Sequence, residues 1–142
     1  MAANTSPIYS KLGDIQWIES AVTAHNVIDL TSGTSYLIFT ADATNGGFVR
    51  EVRIKVGPAN NSAATVIRIW LNNGSTTGTA ANSALLTELG MPATTTSATQ
   101  PLPDFIVPIN MALPAGYKLY MTIGTAPGGS CELTAIAIAG KY

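Results

Sequence analysis

The sequence predicts an all-β protein, an antiparallel β-sandwich, jelly-roll-like, with about eight to nine strands, though strand pattern alone does not separate jelly-roll from immunoglobulin-like topology. Three observations predict it. Short runs rich in Val, Ile, Thr and Tyr alternate with turns built from Gly, Pro, Asn, Ser and Thr. No segment carries apolar residues three and four apart over several turns, the mark of an amphipathic helix. The Cys…Trp…Cys pattern of a true immunoglobulin domain is missing, because the chain has one cysteine.

The elements follow in order. Residues 1–14, "MAANTSPIYSKLGD", read as an arm, because Pro7 and Gly13 discourage regular structure and no period is visible. Residues 15–142 form the single sandwich domain. "IQWIESAV" opens it as a strand with Ile15, Trp17 and Glu19 on one face and Gln16, Ile18 and Val22 on the other. "NVIDL" and "YLIFTA" are the next strand segments. "DATNGG" holds the Asn–Gly pair that favours a tight hairpin. "FVREVRIKV" has the clearest alternation, with Val52, Ile54 and Val56 opposite Glu51, Arg53 and Lys55, so one face is wet. In "ATVIRIWLNN", Ile67, Ile69 and Leu71 oppose Val66, Arg68 and Trp70. "TAANSALLTEL" reads as strand or a short turn of helix, and "DFIVPIN" as strand. A Pro–Ala–Gly corner then leads into "GYKLYMTIG", where Tyr117, Leu119, Met121 and Ile123 share a face. "CELTAIAIAGKY" is the last strand, with Cys131 in step with Leu133 and Ala135 as a small buried hydrophobe.

Composition narrows the function. A chain of 142 residues is one domain's worth, long enough to bury a core without staples. Charged residues are only 11% and mean hydropathy is +0.27, the reverse of a disordered chain. The formal net charge of −1 and the scattered basic residues argue against nucleic acid as a partner. No apolar run is long enough for a membrane helix, and no basic start followed by an apolar block marks a secretory signal. So little charge leaves a monomer poorly solvated, so part of the surface is expected to be covered by other chains.

Catalytic constellations are sparse. His25 is the one histidine, with Asp29 four residues on, but no G-x-S-x-G elbow accompanies it. The eight carboxylates stand singly, with no calcium loop and no Cys/His set for zinc. A glycosidase needs only two carboxylates brought together by the fold, which spacing alone does not address. "ATNGG" and "APGGS" make better sense as turns than as phosphate cradles. The expectation is therefore no enzyme and no cofactor.

The stretch "TADATNGGFVREVRIKV", its continuation "IRIWLNNGSTTGTAANSALLTELGMPATT", and "PLPDFIVPINMALPAGYKLYMTIGT" resemble the jelly-roll decoration (cement, or head auxiliary) proteins of tailed-bacteriophage capsids. The resemblance runs from about Thr40 onward and rests on style and on the "LPAGYKL" corner. It implies a virion protein made in the host cytoplasm and held on the capsid surface. Its partners would be the major capsid protein and itself, as a homotrimer, with no nucleic acid and no membrane. The alternative readings are a tail, baseplate or fibre component, and a free-standing carbohydrate-binding module. On the decoration reading, Ile8, Tyr9 and Leu12 of the arm anchor the protein to the capsid. Trp17 and Trp70 are interface candidates, since Trp is enriched at binding hot spots. Arg50, Arg53 and Lys55 face an acidic partner surface, or are simply a solvated strand face.

Overall fold

The computed structural model describes residues 11–21, 23–25, 29–57, 61–128 and 131–142. Eight strands are present among them: β1 (Leu12–Ala21), β2 (Tyr36–Thr40), β3 (Gly47–Val56), β4 (Thr65–Asn72), β5 (Ser83–Met91), β6 (Asp104–Leu113), β7 (Lys118–Ile123) and β8 (Leu133–Lys141). A single 3₁₀ turn at Ala80–Asn82 precedes β5, the short helical turn that "TAANSALLTEL" allowed.

Two four-stranded antiparallel sheets form, ordered β1-β8-β3-β6 and β2-β7-β4-β5. The pairs β1·β8, β2·β7, β3·β6 and β4·β5 are nested about the β4–β5 connection, like the two arms of one long ribbon. Rolling that ribbon up brings β8 against β3 and β7 against β4. This is the jelly-roll connectivity, and it confirms the predicted sandwich.

The inner faces are apolar because the strands alternate. Val52, Ile54, Val56, Ile67, Ile69, Leu119, Met121 and Ile123 are buried in one cluster with Cys131 and Leu133. Strand β3 keeps Val49 and Val52 both inward, although they are three apart, because a bulge lies between Val49 and Glu51. The extra residue resets the period of two. Gln16 ties one sheet to the other. Its Nε2 donates to the Thr40 carbonyl and its Oε1 accepts from the Thr40 N–H, both at 2.9 Å.

Three expectations are corrected. Strand β1 starts at Leu12, so the end of the presumed arm is already sheet. Asp29 and Leu30 of "NVIDL" lie in a bend, since Asp29 Oδ1 accepts from both the N–H and the hydroxyl of Thr31; residues 26–28 lie outside the described residues. "DATNGG" is no β2–β3 hairpin, because those strands belong to different sheets. It is a corner. Asp42 Oδ1 accepts from the Thr44 and Asn45 N–H groups, and the Asp42 carbonyl accepts from Gly46 and from Gly116 of the Pro114–Gly116 corner. The two corners thus stack at one end of the sandwich.

Candidate assembly surface

The outward face of the β1-β8-β3-β6 sheet is built by the same alternation that builds the core. When Gln16 and Ile18 turn inward on β1, Ile15 and Trp17 turn out, and they are 58% and 61% exposed. Strand β8 has Ala135 and Ala137 inward and Ile136 and Ile138 outward. Strand β6 has Phe105 and Val107 inward and Ile106 and Pro108 outward, with Ile106 52% exposed. Strand register then assembles two rows across the four strands. One is Ile15, Ile138, Glu51 and Pro108; the other is Trp17, Ile136, Arg53 and Ile106.

The charges on this face partly compensate one another, with Arg50, Arg53 and Lys55 against Glu51 and Asp104. Glu51 Oε1 accepts from Arg53 Nε at 2.8 Å and from Arg50 Nη2 at 3.2 Å. The Arg53 hydrogen bond holds the Glu51 carboxyl below its ordinary range, and Glu51 in turn holds Arg53 above its own. Lys55 stands opposite Asp104 on β6. The bulge is what lets Arg50 and Glu51 emerge on the same side.

At one end of the face a cleft of about 450 Å3 opens between Lys55, Thr134 and Ile136 and the loop holding Pro101 and Leu102. At the other end a hollow of about 270 Å3 lies beside Phe48, Arg50, Ile138 and Gly140.

The structure therefore gathers Trp17, Arg53, Lys55 and Arg50 on one face, with Leu12, 61% exposed, at the start of the same edge strand. Ile8 and Tyr9 lie outside the described residues. Trp70 does not join them. It lies on the other sheet, 3% exposed, with its indole N–H donated to Thr122 Oγ1 at 3.0 Å. A side chain so covered offers a partner almost no surface, so Trp70 is a structural residue and the expectation for it is corrected. Sequence reasoning missed Ile136, Ile138, Ile106 and Pro108. The signal was present in "LTAIAIA", where both residue classes of the alternation are apolar and both faces of β8 must be dry.

The other polar candidates serve the scaffold. His25 is buried, its backbone N–H donates to the Ile123 carbonyl at 2.6 Å, and its ring packs where a side chain on Gly33 would stand. Asp29 is committed to Thr31, which holds its carboxyl below the ordinary range. Cys131 is buried, and that burial pushes its thiol up. Among the described residues no three His, Cys, Asp or Glu side chains come together to hold a metal, and no helix is long and apolar enough to cross a membrane.

No protein-family model matches the chain, and no curated protein matches it at a significant level. Among solved structures, the chain is similar to one of the IBDV viral particle, with a TM-score of 0.42 and 14% identity over 99% of this chain. It is also similar to a structure of the infectious bursal disease virus Gx strain, with a TM-score of 0.30 and 13% identity over 99% of this chain. The chain spans about a third of the length of these structures, 35% and 34%.

Proposed function

We propose that the chain is a structural protein of a virus particle that works by binding alone, as a capsid decoration or cement protein. The observation that carries this is the outward face just described. It is a broad, largely apolar sheet surface whose two arginines share the Glu51 carboxylate. Monomeric soluble proteins rarely leave such a face bare. Apolar groups and compensated charges suit a stable contact, because little uncompensated charge must be dehydrated to make it. The sequence resemblance supplies the setting: the particle surface, with the major capsid protein as partner and self-association, three-fold by that resemblance. Many copies, each making modest contacts, sum to a strong hold on the shell. Leu12 and Trp17 on β1 are the anchoring residues in this reading, together with Ile8 and Tyr9 upstream. The Arg50–Glu51–Arg53 cluster keeps one net positive charge and guanidinium N–H groups that Glu51 does not use, so with Lys55 it suits an acidic partner surface.

The test is co-sedimentation of the purified chain with virus particles assembled without it. Saturable binding that Trp17→Glu abolishes, with folding unchanged by circular dichroism, is the expected result. Binding to glycan arrays with no affinity for particles would overturn it in favour of a tail or fibre component.

A further inference from the structure

The outward face of the β1-β8-β3-β6 sheet is complementary to itself, and we propose that two copies of this chain pair through it, face to face, about a two-fold axis. The inference rests on the reading above that this face is an assembly surface, but it seats a second copy there in place of the capsid protein, two-fold where the resemblance implies three-fold. It follows from the order of residues in the two rows. Take an axis lying in the face, running across the strands, midway between the row Ile15, Ile138, Glu51, Pro108 and the row Trp17, Ile136, Arg53, Ile106. Rotation lays each row of one copy on the other row of its partner. Trp17 then meets the partner's Ile15, Ile136 meets the partner's Ile138, and Ile106 meets the partner's Pro108. Arg53 meets the partner's Glu51, and a two-fold contact repeats that pair in the opposite sense, while Arg50, which this axis brings toward the partner's Arg53 and Lys55, stays turned onto its own Glu51.

Other placements fail on charge. Moving the axis onto either row sets Arg53 against Arg53 or Glu51 against Glu51. Turning the axis along the strands stacks β8 on β3, so that Glu51 lies on Ile138, a carboxylate dehydrated against hydrocarbon.

The same axis satisfies the ends of the face. One row further out on one side stand Lys55 and Thr134; one row further out on the other stand Phe48 and Gly140. The rotation brings the partner's Phe48 over the 450 Å3 cleft beside Lys55, Thr134 and Ile136. Ring and cleft are thus at matching heights on either side of the axis. Four strands about 4.8 Å apart and about 33 Å long give a face of roughly 600 Å2, so the pair covers roughly 1,200 Å2, the lower bound of a standard specific interface.

The experiment weighs the full chain in solution by light scattering over a concentration series. The variants are Trp17→Glu, Arg53→Glu, Glu51→Arg and the double reversal of those two charges. All lie on the outward face, and circular dichroism checks their folding. The wild type is expected at twice the 14.7 kDa chain mass. Trp17→Glu and each single reversal weaken pairing more than about tenfold, and the double reversal restores it. A monomer at all concentrations, or a trimer whose mass ignores these substitutions, overturns the pairing. A monomer that still binds particles through Trp17 overturns the pairing and leaves the particle-binding function standing. A dimer that binds no particle does the reverse.

Discussion

The indole N–H of Trp70 on β4 donates to the Thr122 hydroxyl on β7 at 3.0 Å, and both residues are buried on the outward side of their sheet. Register sets Trp70 beside Tyr120, with Leu37 and Leu85 continuing that line to the sheet edges. The indole is thus walled in by a cross-strand row, and its one polar atom finds its partner next door. Thr122→Val keeps the shape and removes the acceptor. The expected loss is about 1–3 kcal/mol, the cost of an orphaned buried donor, read as a lower urea midpoint at unchanged slope.

The two tryptophans should report opposite environments. With Trp70→Phe the remaining Trp17 is expected to emit like a solvated indole and to be quenched readily by acrylamide. With Trp17→Phe the remaining Trp70 should emit further to the blue and resist quenching. Pairing of two copies through the Trp17 face would narrow the difference as concentration rises, and dilution would restore it.

Gly46 has φ of +75°, and a side chain there would meet the Leu113 carbonyl oxygen. Gly116 has φ of +74° but open space where its Cβ would lie. Gly46→Ala adds a backbone collision to the torsional cost, so it should destabilise more than Gly116→Ala. The latter should cost about 1–2 kcal/mol from its left-handed torsion alone. Thermal unfolding of both variants checks the order.

Stability should fall in acid. Hydrogen bonds hold Glu51, Asp42 and Asp29 below their ordinary values, Glu51 through Arg53, Asp42 through the Asn45 and Thr44 N–H groups, Asp29 through Thr31. A carboxyl with a depressed folded value binds protons more readily when unfolded. Its contribution is full above the ordinary values of 3.8 for Asp and 4.5 for Glu, and drains away as pH drops through the lower folded ones. Urea midpoints should therefore be level from neutrality to about 5 and decline below it. Asp42→Asn should flatten part of that decline.

The sandwich was legible because Val52, Ile54 and Val56 alternate with charge, and because Leu119, Met121 and Ile123 share a face. These are local patterns, and burial follows them. Trp17 and Trp70 looked alike for the same reason: each lies in an apolar strand. What separates them is position in the sheet, an edge for β1 and an interior place for β4, and that is fixed by pairing across most of the chain. The bulge at Arg50 left a trace, since the valines of "VREV" stand three apart and break the period of two, but only the pairing with β6 and β8 shows the extra residue. The apolar neighbours of Asp29 read as strand, whereas its short carboxylate makes a turn with Thr31.

Strand β8 is the latest of the eight in the chain, and it lies between β1 and β3. During synthesis, then, β1 emerges first and waits for a neighbour that emerges last. Until β8 arrives, one flank of β3 and the whole of β1 lack their ladder partner in this sheet. Closure of this sheet therefore waits for all eight strands to be made, while β4 and β5 pair early as sequence neighbours. A chain truncated before Leu133 should be protease-sensitive throughout β1, and extension through the whole of β8 should protect β1 and the open flank of β3 together.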